Sequence, residues 1–208
     1  MTKSRTMGEG VYIYGVESSR QVSANGVASA RRIARNQAEA DKLEREGYTV
    51  ERNLHKNGAY FAKIGQHHAH ETEVGRIFAE NGFAFTLDRE GNAKIKINDR
   101  TLTLPSSDGH VEGFTHEIYK LSGKPDPRTV AEAIKHSRKK FKPDERKTIQ
   151  SDVAISIAPK GSQYNRFHIR DGVTEYKRQV RDGETKARPL LYLHVNETTR
   201  SIYRWNIK

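Results

Sequence analysis

Apolar and polar positions along the chain alternate between two periods, and turn residues mark where one gives way to the other. From Asn25 to Glu46, Ala30, Ile33, Ala34 and Leu43 form a thin apolar stripe and Gly47 follows it. That pattern predicts a weakly amphipathic helix with Asn25 as its N-cap. Tyr48–Leu54 and Ala59–Ile64 read as strands joined around Asn57 and Gly58, the pair that best accepts the positive φ angles of a tight hairpin turn. Glu71–Asn81 reads as a helix stopped by Gly82, with Val74, Ile77 and Phe78 on one face. Its first turn carries glutamates, where the helix dipole favours them.

Short strands follow. Phe83–Leu87, Lys94–Ile97, Thr101–Leu104 and Gly113–Lys120 alternate well enough for an antiparallel meander, with turns at 90–92 and 98–99. Asp126 and Pro127, a cap and a first-turn proline, open a helix to about Phe141 with Val130, Ile134 and Phe141 as its stripe. The rest of that helix is basic. Asp152–Ala158 is a strand, Asn165–Arg181 a helix on Ile169, Val173, Tyr176 and Val180, and Leu190–Val195 and Ser201–Ile207 a closing hairpin. Residues 1–24 and 142–150 are the expected flexible segments. The expected fold class is therefore α+β, a mostly antiparallel central sheet with flanking helices. A helical N-terminal extension (1–47) would precede the main domain (48–208).

Composition narrows the chemistry. At 208 residues the chain suffices for one modest core. No run approaches the roughly 18 consecutive apolar residues of a membrane helix, and the first thirty residues lack the layout of a signal peptide. With no cysteine there is no disulfide, no thiolate nucleophile and no cysteine-rich zinc site. No glycine-rich phosphate loop is present, so P-loop nucleotide hydrolysis is unsupported.

The net charge of +11 is unevenly placed. Residues 118–208 carry 21 Lys/Arg against 10 Asp/Glu, whereas 61–117 carry 6 against 9. The acidic stretch ends in the densest chemistry of the chain, Asp108 to Lys120, which holds His110, Glu112, His116, Glu117 and Lys120. A basic surface beside such a cluster suits a nuclease better than a plain binder, because binding alone gains nothing from carboxylates near phosphate. Strand parity puts Glu117 on one face with Thr115 and Tyr119, and Lys120 on the other with His116 and Ile118.

From about Tyr48 onward, the layout resembles ribonuclease toxin domains of the barnase, EndoU, colicin and RelE-like group found in bacterial polymorphic and contact-dependent growth-inhibition toxins. The likeness rests on a helix opening at His70 and Glu71 and ending at Gly82, and on an acidic-glycine step at Asp108 and Gly109 into a strand with Glu117 and Lys120. It continues with the basic helix Val130 to Lys140, then a strand, a helix and a terminal hairpin. Members often place Glu and Lys two residues apart, whereas three residues separate Glu117 from Lys120.

The resemblance implies metal-independent RNA cleavage through attack of the 2′-hydroxyl, with no cofactor and with tRNA one candidate substrate. His110, His116 and Glu117 are then the candidates for proton transfer and Lys120 and Arg204 for charge stabilisation, with Asp108 a further catalytic candidate. Arg138, Lys139, Lys142, Arg200 and Arg204 are the candidate nucleic-acid contacts, and His70 and His194 candidate site-lining residues. It also implies a cognate immunity or antitoxin partner and action in the cytoplasm, of the producing cell or of a target cell after delivery. Three competing readings stand beside it. One is a magnesium-dependent nuclease built on Asp108 and Glu117, another a zinc site at His67 with His70 or with Glu71, and the third a non-catalytic nucleic-acid-binding accessory protein of a mobile element. Tyr192, Tyr203 and Trp205 read either as a base-stacking platform or as packing.

Overall fold

The computed structural model describes residues 20–22, 30–89, 93–97, 100–104, 107–139, 152–185, 191–205 and 207, with backbone alone at 20–22, 93–97, 100–104 and 137–139. In chain order the elements are β1 (Arg20–Val22), α1 (Ala30–Arg45), β2 (Thr49–Glu51), β3 (Phe61–Lys63), α2 (Ala69–Glu80), β4 (Phe85–Leu87), β5 (Ala93–Ile97), β6 (Arg100–Leu104), β7 (Gly109–Val111), β8 (Phe114–Lys120), α3 (Pro127–Lys139), β9 (Val153–Ala158), α4 (Arg166–Arg181), β10 (Leu191–Asn196) and β11 (Ser201–Trp205). The fold is α+β. A nine-stranded mixed sheet runs β1-β11-β10-β9-β8-β7-β4-β3-β2, antiparallel except at β10–β9, β9–β8 and β4–β3.

Local signals place several helix ends. Asp126 accepts a hydrogen bond from the Arg128 N–H at 2.8 Å, capping α3 one residue before Pro127. Asn165 accepts from the Phe167 and His168 N–H groups and starts α4. Every residue of β9 is buried, as a strand flanked by parallel neighbours and covered on both faces requires.

The sheet curls around α2, which touches β3 and β4 on one side and β11 on the other. A single apolar cluster fills the concave face from Phe61 and Phe85 through Ile118 and Ile155 to Ile202, with Val74, Ile77 and Phe78 of α2 inside it. The convex face is covered twice. Helices α3 and α4 cover β8–β11 through Val130, Ile134, Ile169, Tyr176, Tyr192 and Trp205, while α1 covers β2–β4 through Ala40, Tyr60, Ala62 and Ala84. Between these covers the convex side of β7 stays open at His110.

Several expected elements differ. The two strands predicted as a tight hairpin at Asn57 and Gly58 pair only over Thr49–Glu51 and Phe61–Lys63, so a longer loop joins them. Strands β5 and β6 form a separate ribbon and leave the meander, since β4 pairs with β7 instead. Strand β7 lies where no element was predicted, because its three residues are too few to show a period and only pairing makes them a strand. Gly109 permits that pairing, for a Cβ there would sit 2.0 Å from the Thr86 carbonyl oxygen. The turn from β7 to β8 uses Glu112 and Gly113 at φ of 48° and 80°, the signs a two-residue hairpin turn requires. Part of the expected flexible N-terminal segment is a strand, since Arg20–Val22 pairs with β11. Residues 142–150 lie outside the described residues.

Helix α1 is held by a charge as well as by apolar contact. Arg32, 2% exposed, donates to Glu112 at 3.0 Å and to the Gly82 carbonyl at 2.9 Å, and Glu112 also accepts from the Ala84 N–H at 2.8 Å. Burial pushes the Glu112 pKa up, against the pull of Arg32, the Ala84 N–H and Arg35. Removing one partner of a buried pair strands the other. Arg32→Ala should therefore cost about 3–5 kcal/mol in urea unfolding. The double variant Arg32→Met, Glu112→Gln should recover part of it, and a loss under about 1 kcal/mol would show that the pair does not anchor α1.

Candidate functional site

The open strip between α1 and the α3–α4 layer forms a cleft of about 200 Å³, lined by Arg35, Asn36 and Glu39 of α1, Tyr60, Ala84 and Thr86 of the sheet, and His110, Glu112 and Gly113 of the β7–β8 hairpin. His110 stands opposite Thr86 on one side and Thr115 on the other, so all three share the convex face. Its N–H donates to Thr86 Oγ1 at 3.0 Å. Thr115 Oγ1 accepts from the Asp152 N–H at 3.0 Å, bringing a carboxylate residue to the far side of the histidine.

His110 is the titrating centre of this surface. Its Nδ1 lies 3.1 Å from Asp88 Oδ2, and Tyr48 donates its hydroxyl to Asp88 Oδ1 at 3.1 Å. The hydrogen bond to Asp88 raises the imidazole pKa against the opposing effect of burial, and the charges of Asp88, Glu39 and Asp152 raise it further. Burial works against the Asp88 charge, yet the His110 and Tyr48 hydrogen bonds outweigh it and hold that carboxyl below its ordinary range. Tyr48 is pushed up to about 12, first by burial and then by Asp88. Tyr60, buried under α1, interacts with Glu39, and burial with that carboxylate pushes its pKa well above the ordinary phenol value.

The other predicted candidates lie elsewhere. His116 is six residues from His110 but on the opposite face, fully buried, its ring stacked on Phe85 at 4.3 Å and its Nε2–H donating to the Thr86 carbonyl at 3.0 Å. Burial lowers its pKa to about 4, so it stays neutral and structural. Asp108 is buried and accepts from the Ile118 N–H at 2.7 Å, clamping the entry to β7 onto β8. Glu117 shares the convex face with Thr115 but is 2% exposed, in register with Ala154 beneath the α3 layer, so solvent does not reach it. Lys120 is exposed at the end of β8, five residues beyond Thr115, where its charge and that of His68 add to burial in lowering the His70 pKa. His70 therefore belongs with Lys120 and away from the cleft.

His194 is buried, its Nδ1 2.9 Å from Ser156 Oγ, which in turn lies 2.6 Å from the Tyr192 hydroxyl. Burial lowers its pKa to about 3. Tyr192 and Trp205 belong to the apolar cluster under α3 and α4, so they are packing residues and not a base platform. Arg200 is bound to Glu80 at 2.6 Å and to Glu73, and ties the β10–β11 turn to α2. Arg204 is half-buried on the concave side, in register with Leu193. The side chains of Arg138 and Lys139, and all of Lys142, lie outside the described residues. A larger depression of about 660 Å³ against α4 holds no imidazole, and its Arg178 is committed to Glu175, Asp182 and Glu184.

Sequence reasoning singled out His110 but missed Asp88, Tyr48, Arg35 and Glu39. Asp88 and Tyr48 lie 22 and 62 residues from His110 in sequence and carry no local motif, while Arg35 and Glu39 read as the solvated side of a weak helix. Among the described residues no group of three or more metal-binding side chains is gathered, and no helix is long and apolar enough to cross a membrane. No family model matches the chain, and neither curated proteins nor solved structures give a match.

Two titrations follow from this geometry. His110, with a raised folded-state pKa, contributes stability fully present below its ordinary value near 6.5 and lost as pH climbs through the higher folded value. Asp88, with a lowered one, contributes stability present above about 3.9 and lost as pH falls through the folded value. An NMR titration should place the His110 midpoint above that of a free imidazole, and Asp88→Asn should bring it down. An unmoved midpoint in Asp88→Asn would break the assignment. His116 behaves oppositely, since its depressed pKa means that stability present above about 6.5 falls by about 1.4 kcal/mol per pH unit as pH drops toward the folded value. His116→Gln should flatten that acid limb in denaturation measured from pH 7 to 5.

Proposed function

We propose that the chain is a metal-independent endoribonuclease that cleaves RNA in the cleft between α1 and the β7–β8 hairpin. The observation that carries this reading is the Asp88–His110 pair, a half-exposed imidazole whose pKa a carboxylate raises and which faces a cleft bounded by Arg35 and Glu39. Transfer of an RNA phosphodiester to its own 2′-oxygen needs a base for the hydroxyl proton, an acid for the departing 5′-oxygen and a cation for the charged phosphorane. Glu39 takes the 2′-hydroxyl proton, the 2′-oxygen attacks phosphorus, and the P–O5′ bond breaks as imidazolium His110 delivers its proton to the leaving oxygen. Arg35 stabilises the equatorial oxygens. The products are a 2′,3′-cyclic phosphate and a free 5′-hydroxyl.

Asp88 serves as the positioning residue. With Nδ1 held by Asp88, Nε2 is the nitrogen that meets substrate, the division of labour expected of an oriented imidazole acid. Tyr48 orients Asp88 in turn. Asp108, His116 and Glu117 build the floor on which His110 stands, and tRNA remains one candidate among substrates. A toxin role and an immunity or antitoxin partner belong to the same reading, supported by the sequence resemblance.

Incubation of the protein with total RNA in EDTA should yield fragments ending in 2′,3′-cyclic phosphate. His110→Ala should reduce their formation by about 100-fold or more, in line with the usual contribution of a general acid. Asp88→Asn should give a smaller loss and move the basic limb of the pH–rate profile downward. Undiminished cleavage by His110→Ala, or fragments with 3′-hydroxyl ends, would overturn the mechanism.

A further inference from the structure

The only exposed large apolar side chain among the described residues is Phe167, 55% exposed in the first turn of α4. It has cationic neighbours on two sides. The Arg166 guanidinium carbon lies 5.5 Å from the Phe167 ring centroid and that of Arg170 5.4 Å, both within cation–π range. Arg170 is also held by Asp171 at 3.1 and 3.2 Å, which fixes its plane. The turn carrying the ring is not a fraying end. Asn165 accepts from the Phe167 and His168 N–H groups, and the His168 Nδ1 accepts from the Asn165 N–H at 3.2 Å.

The sheet topology brings further cations to the same end. Parallel strands β8 and β9 finish together, with Lys120 in register with Ile157. The loop after β8 is tied to the approach to α4 by the Tyr164 hydroxyl, which donates to the Lys124 carbonyl at 3.2 Å. Lys124 and Lys160 are exposed there, and the Lys160 N–H is the donor that engages nearby Glu197. This end lies roughly 17 Å along β8 from Thr115 and the cleft, at about 3.3 Å per residue.

We infer that Phe167, Arg166 and Arg170, with Lys124 and Lys160 at the same end of the sheet, form a second RNA-docking surface that stacks an unpaired base and binds the flanking phosphates. The proposal rests on the reading of the chain as an RNA-cleaving protein, and it adds a contact to single-stranded RNA beyond the reacting nucleotides. An exposed ring stacks on any base, and guanidinium groups both stack and pair with phosphate. A purely electrostatic surface would need the lysines and arginines alone.

The test uses the full-length chain carrying His110→Ala, so that binding is measured without cleavage, and a fluorescein-labelled 20-nucleotide single-stranded RNA followed by anisotropy. Phe167→Ala should weaken binding about 10-fold, within the range of one lost base stack. Phe167→Trp should restore it, and inorganic polyphosphate binding should be unchanged by either. Arg166→Gln with Arg170→Gln should weaken both ligands and flatten the dependence on salt. RNA affinity unmoved by Phe167→Ala would overturn the proposal and leave the patch to a protein partner. An equal loss for polyphosphate would reduce it to charge alone. The two readings fail separately: active wild-type protein with unaltered Phe167→Ala binding sinks only the docking surface, and Phe167-dependent binding by protein inert in EDTA sinks only the cleavage mechanism.

Discussion

The buried ion pair between Arg32 and Glu112 is the constraint on which the site geometry rests. Glu112 occupies a left-handed position in the β7–β8 turn and accepts from both Arg32 and the Ala84 N–H, while Arg32 also reaches the Gly82 carbonyl. One guanidinium thus joins α1, the loop leaving α2 and the hairpin that carries His110. Apolar contact under α1 is thin, with Ala40, Tyr60, Ala62 and Ala84 as its buried members. A helix so lightly packed would have little to fix its angle over the sheet. Such a pair is a poor source of net stability and a good source of definition, because any other placement of α1 leaves two buried charges apart.

With α1 fixed, the division of the sheet into two faces decides what each histidine can do. The concave face is closed around α2, so His116, which points there, is sealed against Phe85 and neutral. The convex face is covered at both ends but open over β7, and His110 emerges in that gap. Six residues of sequence separate two imidazoles whose proton affinities are driven in opposite directions. Burial without a carboxylate partner depresses one, and a carboxylate in hydrogen-bond reach raises the other. Glu117 is the intermediate case, on the convex face yet under the α3 layer.

Much of the architecture was legible wherever a local signal sufficed. The cap Asp126 and the apolar stripes of α3 and α4 located those helices, and strand parity separated Glu117 from His116 and Lys120. Legibility failed where pairing creates the element: β7 has no pattern of its own, and the departure of β5 and β6 from the meander is fixed by β4 choosing β7. It failed again at the site, because a carboxylate acquires its meaning from what it faces. Asp88 sits in an unremarkable strand-end position, and Arg32 reads as one more basic residue on a weak helix until its burial is known. His110 was visible as chemistry, and its partner was not.

The uneven charge of the sequence has a counterpart in this arrangement. Every residue proposed to act in cleavage, from Arg35 and Glu39 through Tyr48 and Asp88 to His110, precedes residue 118, in the stretches where acidic residues nearly balance or exceed basic ones. A carboxylate-rich setting suits an imidazole that must keep its proton, and it would repel a polyanion if nothing offset it. The excess of cations lies after residue 118. Part of it is neutralised internally, as at Arg178 and its three acidic partners, and part is exposed at the far end of β8 beside Phe167. Separating the two functions along the sheet resolves the conflict. The carboxylates that raise the pKa of His110 stay close to it, while the cations proposed to hold RNA lie at the far end of β8, away from the proposed acid.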